Sequence, residues 1–217
     1  MRGLLAVLAL MLAHVLAIGL FFQPQLGYDI ATYQSEAAAK LMPATGFAPA
    51  VKAARHRLEA AQALSPPDSR VAQARLDLAI LLRWSGSPAE SVQLLSQSIP
   101  PVIAAQGEGS LMVAQIRYYL GRLQMDLGQP RLAIGLLKPA SASLLDGSGS
   151  DDLGYQACTA DLGLALAALG RTREAYLALA SVRTGLMVAT PAQMPQVEMN
   201  RYNQIFNDCR TAAKTLP

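Results

Sequence analysis

The chain has 217 residues, enough for one domain of ordinary size with a real core. Its composition is 52% hydrophobic but only 6% aromatic, with abundant alanine and leucine, which suits closely packed helices. The formal charge is +3, from 18 basic and 15 acidic residues with no run of like charge, and that pattern argues against nucleic acid as the main partner.

Residues 4–22 form a 19-residue stretch without a charge, in which His14 is the only polar side chain. A run of about 20 apolar residues can cross a bilayer as a helix. Arg2 precedes the run, whereas Asp29 and Glu36 come before the first downstream cation, Lys40. The positive-inside rule then places everything after Phe22 on the exported side. Residues 1–22 are expected to be a membrane anchor or a signal peptide, with Val15-Leu16-Ala17 and Ala17-Ile18-Gly19 as available cleavage sites. Residues 23–27 read as a short linker.

Residues 28–41 carry Tyr33, Ala37 and Leu41 at helical spacing, and Pro43 with Gly46 ends that helix. Residues 48–64 follow with Val51, Ala54, Leu58, Ala61 and Leu64 on one face. Together, residues 28–64 are expected to form a degenerate first hairpin. The segment "SPPDS" at 65–69 breaks the chain, and Asp68 or Ser69 is placed to cap the next helix.

Three regular units fill residues 65–190. Gly86, Gly128 and Gly170 lie 42 residues apart. Eight residues before each glycine stands a leucine (Leu78, Leu120, Leu162), followed by a small residue (Ala79, Gly121, Gly163). Five residues after it comes another small residue (Ser91, Ala133, Ala175), and four further on a leucine (Leu95, Leu137, Leu179). A fixed period of this length marks repeated helical hairpins, each too small to bury its apolar face alone. Helices are expected near 69–84, 111–126 and 152–169, partnered by second helices near 88–105, 130–145 and 172–187. Pro88 and Pro130 fall at first helical positions, where a missing N–H costs nothing. Pro100-Pro101 and Pro139 are expected to kink or shorten their helices, and "QGEGS" and "DGSGSDD" read as flexible polar links. Residues 191–217 supply a last helix from about 195 to 213. Its stripe of Met199, Tyr202, Phe206 and Cys209 faces away from a polar side, the pattern of a cap on an open stack.

The Leu-small pair, the turn glycine, the following small residue and the next leucine resemble the tetratricopeptide repeat (TPR) family, in the 42-residue form of kinesin light chains. "SPPDSRVAQARLDLA" also resembles the helix start of that form. The resemblance covers residues 69–187 well and 28–64 weakly. It implies an all-α, right-handed TPR-like superhelix of antiparallel hairpins, with the capping helix at one end and the N-terminal hydrophobic helix at the other. The departures are Ser91 in an alanine position and Gly135 inside a helix, both expected to loosen packing locally.

In that family the first helix of each hairpin lines a concave groove. Carried over by register, the groove presents Gln73, Asp77, Ile80, Arg83 and Trp84 from the first unit. The second contributes Gln115, Tyr118, Tyr119, Arg122 and Asp126, and the third Asp161 and Leu164. Trp, Tyr and Arg combine apolar area with a polar handle and dominate binding hot spots, although Trp84 and Tyr118 serve equally well as fillers between helices. Some family members clamp a partner's terminal carboxylate with Lys and Asn. The comparable positions here carry Leu76, Ile80 and Tyr119, so an extended or helical partner segment fits better.

Catalytic signals are sparse. His14 lies in the apolar run, and His56 lies on an exposed-looking face with Arg55, Arg57 and Glu59. No metal-binding or phosphate-binding motif occurs. Asp146–Asp152 faintly resembles a calcium loop but lacks the closing glutamate. Cys158 and Cys209 are expected to be buried free thiols, because a cap running parallel to the stack would separate them by about 13 Å, beyond the roughly 7 Å a bridge allows. The expected function is a non-catalytic adaptor without cofactor or metal. It would bind a protein or peptide on the exported side of a membrane and assist assembly of an envelope complex. The alternatives are a structural subunit held through its N-terminal helix and an enzyme or metal-dependent sensor.

Overall fold

Gly86, Gly128 and Gly170 each end a helix in the left-handed region, at φ 87°, 71° and 72°, a conformation that only glycine adopts without strain. The hydrogen bonds around them repeat. The amide of Ser87 donates to Leu82, that of Gln129 to Gln124 and that of Arg171 to Leu166, while the glycine amides donate to Arg83, Met125 and Ala167. This pair of bonds is the Schellman motif, which satisfies the last carbonyls of the helix and turns the chain back.

The computed structural model of the protein describes residues 24–38, 46–64 and 69–182, together with 207 and 211. The apolar run at 4–22, the cap at 191–217 with Cys209 but for 207 and 211, and most of "SPPDS" lie outside the described residues. Every regular element described is a helix: α1 (24–38), α2 (Phe47–Gln62), α3 (Ser69–Trp84), α4 (Pro88–Ser96), α5 (Ile99–Gln106), α6 (Leu111–Asp126), α7 (Pro130–Ser148), α8 (Leu153–Ala168) and α9 (Thr172–Ala180). The chain divides into two compact units, Met1–Ser87 and Pro88–Pro217. The division falls inside the stretch read as three regular repeats.

In the first unit α2 packs on α3 and buries Ala54, Leu58 and Ala61 as its periodicity gave, with Ala50 in place of the expected Val51, which is half-buried. Two expectations fail here. Residues 24–27 are helical and not a linker, because Pro24 is compatible with the first turn of a helix. The inward face of α1 is Tyr28, Ala31 and Ser35, whereas Tyr33 is 75% exposed. Both stripes have helical spacing, so periodicity alone could not choose between them.

In the second unit α6 and α7 form one hairpin, α8 and α9 the next, and α7 packs on α8. The small residues of the repeat have a steric reason. A Cβ on Gly121 would lie 2.5 Å from Leu137 Cγ, and one on Gly163 would lie 2.6 Å from Leu179 Cγ. The same leucine-on-glycine contact therefore recurs one repeat apart, and Ser91, Ala133 and Ala175 are fully buried. Ser91 thus occupies the same buried position as the alanines of the other two repeats.

The prolines act differently in the two places. Pro100-Pro101 break the helix expected at 88–105 into α4 and α5, since two adjacent residues lack the N–H that would continue it. Ser98 is buried at the break, where its hydroxyl donates to the Leu94 carbonyl at 2.9 Å. Pro139 stays inside α7, which runs on to Ser148. Both Pro139 and Gly135, four residues earlier, are exposed, so the carbonyl that loses its bond faces solvent. The links read as flexible are defined turns. Gly107 and Gly149, again 42 residues apart, take φ 84° and 86°. Three residues on, Ser110 and Asp152 cap α6 and α8 by accepting from the amides of Val113 and Tyr155.

Candidate functional site

Four of the groove residues expected on α6 form one stripe. Gln115, Tyr119, Arg122 and Asp126 follow one another at four, three and four residues, so they share a face of the helix. Gln115 and Asp126 are exposed, and Tyr119 and Arg122 are half-buried. The opposite side carries Val113, Ile116, Leu120 and Leu123, all buried.

Beneath the stripe lies a polar floor. Tyr118 is 6% exposed and packs in one cluster with Ala114, Cys158 and Ala165, whose small side chains leave the volume that its ring fills. The Tyr119 ring leans on it, with centroids 5.0 Å apart and planes at 49°. Arg122 crosses from α6 to α8, its Nε 3.1 Å from Asp161 Oδ2, with side-chain exposures of only 11% and 8%. The same guanidinium lies 5.7 Å from the Tyr118 ring centroid, and its Nη1 donates to the Tyr118 hydroxyl at 3.4 Å. Burial pushes the Tyr118 phenol well above its ordinary pKa, although the Arg122 charge pulls it down. Burial, aided by the Asp161 carboxylate, likewise holds the Cys158 thiol well above its ordinary value. Both groups are neutral at physiological pH.

The groove residues of the second repeat therefore divide by role. Gln115, Tyr119 and Asp126 offer accessible surface. Arg122, expected as a contact residue, and Tyr118, read equally as contact or as filler, are packed between α6 and α8 beneath the stripe. Asp161 and Leu164 of α8 are buried as well.

In the first unit Gln73, Asp77, Ile80 and Trp84 form the equivalent stripe on α3, all half-buried. Gln73 donates to Asp77 at 2.8 Å, and Asp77 pairs with Arg57 at 2.5 Å. The Arg83 guanidinium lies 4.6 Å from the centre of the Trp84 ring. His56 is exposed, but Arg57, expected to share its solvated face, points inward with 14% side-chain exposure. It lies on the flank of the α2 core face, between Asp77 and Tyr28, and donates to the Tyr28 hydroxyl at 3.3 Å. Burial opposes its charge, but Tyr28 and Asp77 outweigh that and raise its pKa. Arg70 lies over the same ring at 5.3 Å. This arginine–tyrosine–arginine arrangement was not anticipated, because the three residues are far apart in sequence and none belongs to the repeat pattern.

Among the described residues no group of three or more His, Cys, Asp or Glu side chains could hold a metal ion. Asp152 of the calcium-like segment is occupied as the cap of α8. Cys158 is a free thiol that donates to the Leu137 carbonyl at 3.5 Å. Among the described residues no helix is long and apolar enough to cross a membrane.

No family model matches the sequence, and no curated protein matches it. Solved structures do. BtubC (BKLC) from P. vanneervenii is 16% identical over 88% of this chain and 85% of its own, with a TM-score of 0.65. A putative kinesin light chain of nearly identical TPR-like repeats from Podosopora anserina is 21% identical over 86% of this chain and 91% of its own, with a TM-score of 0.66. A substituted form of that protein is 22% identical over the same shares, with the same score. At these identities the likeness concerns the fold, and it agrees with the repeated Schellman turns and leucine-on-glycine contacts: the fold of this chain is that of the TPR-like repeat proteins.

Proposed function

We propose that the protein is a non-catalytic scaffold that binds a segment of a partner protein along the α6 stripe, on the exported side of a membrane. The observation that carries this reading is the stripe itself. Gln115 and Asp126 are exposed and Tyr119 is half-buried on one face of α6, and the Arg122–Asp161 pair lies beneath them. A surface pre-set in this way loses little freedom on binding. Tyrosine supplies contact area, while the glutamine and the carboxylate can hydrogen-bond an extended or helical segment. The TPR-like fold supports the scaffold part of the proposal, since repeat proteins commonly bind other proteins. The uncharged run at 4–22 and the charges around it support the exported location, and assembly of an envelope complex is the task that suits a tethered scaffold there.

The test is capture of the partner from native membranes by the intact protein and by a Tyr119→Ala variant. Loss of one defined protein, with an unchanged melting curve, supports the reading. An unchanged partner set contradicts it. The 4–22 run also favours a second reading, a structural subunit whose membrane helix makes the main contacts. Replacing that run with an unrelated anchor separates the two, because the scaffold keeps its partner and the structural subunit loses it.

A further inference from the structure

The face of α1 that points away from the first unit is apolar. Leu26, Ile30 and Tyr33 are 59%, 48% and 75% exposed and are spaced by four and three residues, so they form one stripe. The inward stripe of Tyr28, Ala31 and Ser35 lies on the opposite side of the helix, at 3.6 residues per turn. A surface helix packed by one face ordinarily turns polar residues to the other. Here the polar and charged positions are pushed to the flanks, where Gln25 donates to Asp29 at 2.9 Å and Glu36 is exposed.

The helix is also held in rotation. Tyr28 lies between Arg57 of α2 and Arg70 of α3, 5.8 Å and 5.3 Å from its ring centroid, and Arg70 donates to Gln25 at 2.5 Å. The outward stripe therefore cannot roll inward without breaking these contacts. Its continuity with the chain before it identifies what covers it. The uncharged run ends at Phe22, four residues before Leu26, and only Gln23 separates that run from α1.

We infer that α1 lies in the membrane interface, with Leu26, Ile30 and Tyr33 in contact with lipid and the opposite face carrying the first unit. This deepens the membrane reading above and rests on it. A tyrosine suits that depth, since its ring enters the acyl boundary and its hydroxyl stays among headgroups. The only charged residues of α1 are Asp29 and Glu36, so the contact is made by apolar area and not by attraction to anionic lipid.

The test uses the full chain reconstituted into zwitterionic phosphatidylcholine vesicles, with Tyr33→Trp as the probe. Lipids carry bromine either near the headgroup or at mid-chain, and wild-type Trp84 emission is the baseline. The expected result is that shallow bromine removes most of the emission added by Tyr33→Trp and mid-chain bromine removes little, whereas Glu36→Trp keeps its emission. Ile30→Trp repeats the reading if Tyr33→Trp fails to fold. Protein that floats with the vesicles but shows no quenching at position 33 leaves the membrane reading standing and overturns this one. Equal quenching at positions 33 and 36 also overturns it, because the helix is then not oriented by the stripe. An emission shift that depends on protein concentration and not on bromine makes a second copy the occupant, against the inference. Protein that does not float with vesicles overturns both readings.

Discussion

Glycine at different positions of the repeat illustrates how one residue type serves different ends. At Gly163 a methyl group would meet Leu179 at 2.6 Å, so Gly163→Ala is expected to lower stability by about 1–3 kcal/mol through overpacking. At Gly135 the same methyl group meets nothing within 4 Å, and the helix gains propensity, so Gly135→Ala is expected to raise stability by roughly 0.5–1 kcal/mol. Urea unfolding of the two variants checks the signs. Cys158 makes a further prediction. Its thiol pKa is raised in the folded protein by burial, then by Asp161, so the folded state keeps a proton that the unfolded state releases. The resulting stabilisation is complete below the ordinary thiol value of 9.0 and is lost progressively as pH rises above it. Stability measured on the alkaline side is expected to fall less steeply in Cys158→Ala than in the parent. Much of this scale was legible: the Leu-small pairs and turn glycines have the roles their spacing implied. The place of Arg122 was not, because its partner Asp161 stands on another helix, and for Tyr118, read equally as contact or filler, only the cluster with Ala114, Cys158 and Ala165 on two helices decides.

Between elements, Arg122 of α6 and Asp161 of α8 form a buried ion pair in the second unit. Removing one partner of a buried pair leaves the other charge without compensation, at about 3–5 kcal/mol. Asp161→Ala is therefore expected to destabilise severely, and adding Arg122→Ala to recover part of the loss, as a double-mutant cycle would show. Additive losses would mean that the two side chains act independently. Element boundaries were legible wherever a glycine or a double proline marks them, as at Gly128 or Pro100-Pro101. At Pro139 a kink or a shortening was expected, and α7 is not shortened, since the proline faces solvent. The boundaries were misread at α1, where two apolar stripes compete and only packing against Arg57 and Arg70 selects Tyr28.

For the molecule as a whole, the 42-residue period was enough to give the fold, because a repeat constrains every copy by the same contacts. The working surface is less legible, since scaffold folds are shared across unrelated roles and recognition lives in a few side chains. The proposed function places those side chains on the Gln115–Tyr119–Asp126 face of α6. The most direct measurement places a photo-crosslinking residue at Gln115 or Asp126 of the whole chain in its native cells, and at the exposed Arg173 of α9 and Leu132 of α7 for comparison. The account predicts that positions 115 and 126 capture the same partner and that 132 and 173 do not. Capture from α7 and α9 alone, or equally from all four positions, would contradict it.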